Sequence, residues 1–329
     1  MRILVTGAGG FLGRAIACRL VERGDSVRSF SRGSHPELKQ LGIEQQQGDL
    51  ADAQAVLEAC RGVDLVFHVG AKAGIWGRRR DFYRTNVLGT RNVLEACRTL
   101  RIERLVYTSS PSVVFDGKDM EGVDESVPYP ARFRAAYPET KAAAERLVLS
   151  ANSSALATVS LRPHLIWGPG DTNLIPGILA RGRKGGLRQI GTAKKLVDFT
   201  YIDNAAEAHL CAADHLSPGR PAAGKAYFIS QAEPMPTWEF VNRILASAGL
   251  PPVEKSVPRS VAYAGGALLE VLYRLLPVSG EPRLTRFLAE ELSTAHWFDI
   301  SAARRDLAYQ PVVSMEEGFR RLQASLSPR

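Results

Sequence analysis

Tyr137 and Lys141 stand four residues apart in the stretch AAYPETKAAAER (135–146), a spacing that puts a phenol and an ammonium on one face of a helix. A phenol with a pKa near ~10 is a weak acid–base group at neutral pH, and a neighbouring positive charge draws that value down. Such a pair can exchange a proton with an alcohol or a carbonyl. Nine tyrosines in 329 residues would give a YxxxK spacing by chance in about one chain in four, so the pair needs a second signal. YTSSPSV (107–113) supplies it at the end of a predicted strand: Ser110 can hydrogen-bond the reacting oxygen, with Ser109 and Ser112 as rivals.

A second chemical end lies at the start of the chain. RILVTGAGGFLG places Gly7, Gly10 and Gly13 between a strand and a helix that opens with Phe11 and Leu12. Glycine there lets the backbone approach a pyrophosphate, which the helix N-terminus attracts. This context reads as a dinucleotide site. At the end of the second strand, SFSRGS carries Ser31 and Arg32 where an acidic residue would hold a ribose hydroxyl. A hydroxyl and a guanidinium suit a 2′-phosphate, which favours NADP and leaves NAD as the alternative. In GDL (48–50), Asp49 and Leu50 stand where an adenine would lie, and Asp49 reads equally as a turn residue.

Short β-rich runs must position these groups: 2–6, 26–30, 43–47, 64–68, 104–109 and 157–161, separated by helical stretches. That alternation predicts an α/β fold, a doubly wound parallel sheet of Rossmann type with a smaller C-terminal substrate lobe. Residues 1–165 are expected to form the dinucleotide-binding domain, with 198–230 returning to it. The turn-rich segments 166–197 and 231–329 are expected to form the lobe. Gly24 is the expected end of the first helix, and Pro138 is expected at the first helical position, beside Tyr137.

The composition, 45% hydrophobic and 23% charged, is that of a globular chain. The net charge of +8 is dispersed apart from GRRRD and ARGRKGGLR, and neither run interleaves aromatics, so nucleic acid is not an expected partner. Four cysteines without CxxC spacing give no metal site and read as reduced thiols. No leader precedes the first strand, and a cytoplasmic setting is expected. The apolar stretch 261–277 is interrupted by Glu270 and Arg274, which can pair at i,i+4, so it reads as an amphipathic helix over a greasy pocket rather than a span. Peripheral membrane contact is the lesser alternative.

TGxxGxxG, the serine after the fifth strand, YxxxK, TNVLGTRNVLEA and LRPHLIWGPGD together resemble the extended short-chain dehydrogenase/reductases over essentially the whole chain. FHVGAKAGIWG, YTSSPSVVFDG and LVDFTYIDN are similar to the 3β-hydroxysteroid dehydrogenase branch. The resemblance implies Ser110, Tyr137 and Lys141 as the catalytic trio and Asn86 as the asparagine that holds the lysine's water relay. It also implies contact of Pro163 and Ile166 with the nicotinamide, and a homodimer. Within the branch, SVVFDG resembles the sterol-4α-carboxylate 3-dehydrogenases, and AKAGIWG with the SRG turn resembles the 2-alkyl-3-oxoalkanoate reductases. The expected activity is NADP-dependent reduction of a 2-alkyl-3-oxo acid, a lipid-like small molecule, whose carboxylate an Arg or Lys of the basic loops could hold, with Arg183 and Lys184 as candidates. The alternative is oxidation of a 3β-hydroxysteroid or sterol carboxylate; sugar-nucleotide epimerisation and non-catalytic dinucleotide sensing rank lower.

Overall fold

A computed structural model describes residues 1–276 and 280–327. Seven strands build one parallel sheet: β1 (Arg2–Thr6), β2 (Ser26–Ser31), β3 (Glu44–Gln47), β4 (Leu65–His68), β5 (Arg104–Thr108), β6 (Ala157–Pro163) and β7 (Lys225–Ile229). Their order is β7-β6-β5-β4-β1-β2-β3. Because β2 lies on one side of β1 and β4 on the other, the chain reverses its winding between them. A crevice opens at the carboxyl ends of these strands.

Successive side chains of a strand point to opposite faces, and both faces are covered, so β1 is buried throughout from Ile3. Ile3 and Val5 join Ile16, Ala17 and Leu20 of α1 (Phe11–Glu22) on one face. Leu4 joins Val93, Leu94 and Cys97 of α2 (Gly89–Leu100), and Ala144 and Val148 of α3 (Ala136–Ser150), on the other. The helix α4 (Ile202–His215) packs against α1 and closes the first face. Gly24, just beyond the end of α1, takes φ +85°, the left-handed conformation that ends a helix. All four cysteines are free thiols, and Cys60 and Cys97 are buried.

The lobe beside the crevice carries a small sheet in the order 235–236, 196–197, 296–298 and 120–123. The lobe also carries α5 (Arg259–Leu275) and α6 (Arg286–Glu291), which pack against each other. Gly266 lets α5 ride on the start of α6: a Cβ there would stand 2.7 Å from the Thr285 carbonyl carbon.

Two expectations about α5 need correction. Glu270 does not pair with Arg274; it is buried, accepts the Arg286 amide at 2.7 Å and holds the Arg286 guanidinium at 2.7 Å. Arg274 instead lies over the Trp76 ring. Nor does the greasy side of the helix cover the crevice. The small residues Ala262 and Gly266 and the Glu270 carboxyl face inward because they allow close approach to α6, which leaves Leu268 at 61% and Leu275 at 77% exposure. Pro277, the last residue of the apolar stretch, and Val278 and Ser279 of the turn-rich segment 231–329 lie outside the described residues. Among the described residues no helix is long and apolar enough to cross a membrane.

Candidate active site

The crevice is a cavity of about 730 Å³ that runs from the β1 turn to the start of α3. Gly7 follows β1 with φ +73°, and a Cβ on it would meet Gly70 Cα at 2.7 Å. A Cβ on Gly13 would stand 2.3 Å from the Gly7 carbonyl oxygen. These glycines therefore allow α1 to begin directly against the turn. Its N-cap, Gly10, offers no side-chain acceptor, so the amides of the first turn, at Phe11, Leu12 and Gly13, remain free for an anion. The cradle fits a pyrophosphate.

The far wall carries the acid–base groups. Ser110, Tyr137, Lys141, Pro163 and Ile166 all line the same cavity as the glycines, and so do Ser109 and Ser112. Ser110 is the serine at the phenol: its hydroxyl acts to lower the Tyr137 pKa and is itself steadied by Ser112 at 2.9 Å. The helix α3 begins two residues earlier than the sequence suggests, so Tyr137 is its second residue and Pro138 its third. A proline is tolerated there because the first turn's amides have no intrahelical partner in any case.

The electrostatics also differ from expectation. Burial raises the Tyr137 pKa above its ordinary value, and of the two lesser influences Ser110 lowers it and Glu291 raises it. Lys141 is buried and its ammonium donates to the Thr108 carbonyl while lying 4.3 Å from the Tyr107 ring centroid. Burial draws its pKa down to about 7, opposed by Glu145 one turn along α3. The lysine is thus poised to gain or lose a proton near neutrality.

Asn86 stands apart from the cavity, in a π-helical turn (Tyr83–Leu88) that leads into α2. Its amide Oδ1 accepts from the Lys72 backbone at 2.7 Å, and Nδ2 donates to Thr140 Oγ1 at 3.0 Å. Its carbonyl accepts the Thr90 hydroxyl at 2.6 Å. The side chain thereby ties the loop after β4 to the turn of α3 between Tyr137 and Lys141.

On the inner face of that helix Glu145 is fully buried. It accepts from Arg162 Nη2 at 2.7 Å, Ser160 Oγ at 2.8 Å and the Tyr129 hydroxyl at 2.7 Å. Burial pushes its pKa up, but the Arg162 guanidinium and the hydrogen bonds outweigh burial and hold the carboxyl below its ordinary value. The pair fastens α3 to β6 and so fixes the direction in which Tyr137 and Lys141 point.

At the other end, Arg32 lines the cavity beyond β2, with no acidic side chain from that strand end beside it. Ser31 donates its hydroxyl to the Gly33 carbonyl at 2.9 Å, which leaves Arg32 to carry the charge. Asp49 also reaches the cavity, but its carboxylate accepts the Ala51 amide at 3.0 Å and pairs with Arg84 at 2.9 Å. The aspartate therefore builds the turn after β3. Arg183 and Lys184, expected at a carboxylate, sit at the end of the helix Leu174–Arg183 and do not line the cavity.

The sequence profile of the 3-beta hydroxysteroid dehydrogenase/isomerase family matches residues 4–259, which hold the glycine turn, Ser110, Tyr137 and Lys141. The chain belongs to this family. It is 55% identical over 327 residues to the 2-alkyl-3-oxoalkanoate reductase of Stenotrophomonas maltophilia (strain K279a), covering 99% of each chain. It is 35% identical to the sterol-4-alpha-carboxylate 3-dehydrogenase, decarboxylating, of Mus musculus, over 96% of this chain and 88% of that one. Among solved structures, that of gox2253 superposes with a TM-score of 0.79 at 26% identity, over 98% of this chain and 97% of the other. Like the rest of the family, the chain is an oxidoreductase that works on hydroxyl and carbonyl groups with a nicotinamide dinucleotide.

Three cavity residues escaped the sequence reading. The His35 ring lies so close to Gly9 that a Cβ there would stand 1.9 Å from Nε2. It adds an imidazole to the Arg32 end, and only the short SRGSH spacing hints at it. His164 lies within LRPHLIWGPGD, though nothing there marks its ring as a cavity group, and Glu291 ends α6 without a motif; the fold brings both to the cavity that Tyr137 lines.

Proposed function

We propose that this chain reduces a 2-alkyl-3-oxoalkanoate to the 2-alkyl-3-hydroxyalkanoate with NADPH. The observation that carries the reading is the likeness at 55% identity, over 99% of both chains, to a protein named for that reaction. The residues described above support it. Gly7, Gly10, Phe11, Leu12 and Gly13 would hold the pyrophosphate, Arg32 with His35 a 2′-phosphate, Leu50 the adenine, and Pro163 and Ile166 the nicotinamide ring.

When bound, the reduced cofactor supplies the hydride. Ser110 and Tyr137 receive the ketone oxygen with hydrogen bonds, which favours the charge that builds on it. Tyr137 gives its proton to that oxygen. Its raised pKa in the free protein keeps the phenol protonated, as a donor must be. Lys141, next on the same helix face and poised near neutrality, favours the phenolate left behind and lets the proton be replaced. Ile75, Leu165, Leu174 and Phe287 give the cavity an apolar wall for the alkyl chains. A homodimer in the cytoplasm belongs to the same proposal.

Initial rates with NADPH and a 2-alkyl-3-oxo acid, set against NAD with a 3β-hydroxysteroid, test it. NADPH oxidation at the faster rate supports the proposal. Faster NAD reduction by the steroid would replace it with the sterol-type oxidation for which the more distant mouse relative is named.

A further inference from the structure

Glu291 ends α6 with its side chain at the catalytic end of the cavity, near enough to Tyr137 for its charge to raise the phenol's pKa. Among the described residues no cation stands against it: burial is the sole cause of its own displacement, which takes the carboxyl up to about 7. Among the described residues lining the cavity, the arginines and lysines are Arg32, at the glycine end, and Lys141, which donates to Thr108. An anionic substrate therefore meets no free guanidinium or ammonium near Tyr137, and its charge must be received by a neutral donor.

The two histidines beside Glu291 cannot be that donor. His296 bonds the Glu291 carbonyl through Nε2 at 2.8 Å, and a carbonyl only accepts, so Nε2 carries the proton. Burial lowers the pKa of His296, and burial with His296 lowers that of His164, so both rings are neutral. His296 Nδ1 is then an acceptor, and it receives the Nε2 proton of His164 at 2.7 Å. His164 is left with an unprotonated Nδ1. The same chain of bonds fixes the backbone at the end of α6. The neighbouring Glu290 belongs to a different set of contacts, with Arg134.

We propose that Glu291 is the carboxyl-binding group of the substrate site: its protonated side chain donates a hydrogen bond to the substrate carboxylate while Tyr137 and Ser110 hold the ketone oxygen. The inference rests on the substrate class proposed above. In a 3-oxo acid the carboxyl carbon is two bonds of about 1.5 Å each from the ketone carbon, so a group that binds it has to neighbour the tyrosine. An acid paired with a carboxylate makes one of the shorter and stronger neutral-to-charged hydrogen bonds. Ionisation of Glu291 turns the donor into a like charge, and the subsite then rejects the same ligand.

The test is binding of 2-butyl-3-hydroxyoctanoate to the protein saturated with NADPH, a pair that cannot react, by calorimetry from pH 6 to 9. Undecan-6-ol, the same skeleton without the carboxylate, is the comparison ligand. The acid's Kd is expected to rise about tenfold per pH unit above the Glu291 pKa, with one proton taken up on binding. The alcohol's Kd stays level. In Glu291→Gln, which keeps a donor but cannot ionise, the acid's Kd loses its pH dependence; in Glu291→Ala it rises about tenfold or more at pH 6. A level Kd for the acid in the unaltered protein, or equal weakening of acid and alcohol in Glu291→Ala, overturns the subsite while leaving the proposed reaction standing. Failure of both ligands to bind the unaltered protein overturns the substrate class and the subsite together.

Discussion

Gly13→Ala separates the cofactor cradle from the stability of the fold. Alanine favours a helix over glycine by about 1 kcal/mol. Its Cβ, however, would stand 2.3 Å from the Gly7 carbonyl oxygen, 2.7 Å from the Gly7 carbonyl carbon and 2.9 Å from Ala8 Cα. All three are backbone atoms, so no side chain can turn aside. Restoring ordinary contact needs a retreat of roughly 1 Å, and overpacking of this kind costs about 1–3 kcal/mol. The net loss of stability is then only about 0–2 kcal/mol. The same displacement carries the amides of Phe11, Leu12 and Gly13 away from the pyrophosphate. Loss of even one hydrogen bond to a charged group, worth about 1.5–3 kcal/mol, weakens binding about 10- to 150-fold. Binding should therefore suffer more than stability. NADPH titration by quenching of tryptophan fluorescence, with urea unfolding in parallel, reads both. An NADPH Kd within threefold of the unaltered protein would refute the role given to this glycine turn.

The neighbouring glycines of α5 should respond in opposite directions. A Cβ on Gly265 meets nothing within 4 Å, whereas one on Gly266 meets the Thr285 carbonyl carbon at 2.7 Å and the Arg286 nitrogen at 2.9 Å. Urea midpoints are expected to rise for Gly265→Ala, by about 0.5–1 kcal/mol, and to fall for Gly266→Ala by about 1–3 kcal/mol. Arg162→Met strands the buried Glu145 carboxylate and should cost about 3–5 kcal/mol at pH 7 in the same assay. Because Glu145 has a lowered pKa when folded, the stabilisation it lends is present above its unfolded pKa and fades as pH falls through its folded value. The penalty of the Arg162→Met change should accordingly shrink in acid. Arg32→Ser is expected to weaken NADPH by about tenfold or more while changing NADH less, read as separate Kd values; equal weakening of both would remove Arg32 from the 2′-phosphate.

The parts of the fold with local causes were open to reading from sequence. Alternating strands and helices gave the sheet, and the glycine spacing placed the cradle, because each depends on residues close together in the chain. The same holds for Tyr137 and Lys141, one helical turn apart on α3. Readings that depended on tertiary partners were less secure. Glu270 has a basic residue one turn away on its own helix, yet it pairs with Arg286, since the close contact at Gly266 brings α6 against it. The greasy stretch of α5 was expected to line the pocket for the same reason it does not: hydrophobicity marks a face, but the small residues decide which face can approach. Glu291 and His164 are 127 residues apart in sequence, and only the closed sheet and lobe bring both to the cavity that Tyr137 lines. The direction of the Tyr137 shift was also beyond local reasoning, because burial outweighs the nearby groups.

The central claim is that Tyr137 delivers the proton to a ketone held in this crevice. Tyr137→Phe removes one oxygen and keeps the ring, and a single-turnover experiment in which protein loaded with NADPH is mixed with a 2-alkyl-3-oxoalkanoate isolates its effect. Loss of a positioned acid should slow NADPH oxidation by about 10²- to 10⁴-fold, with the NADPH Kd within twofold of the unaltered protein. NADPH oxidation by the phenylalanine variant at the rate of the unaltered protein would contradict the account.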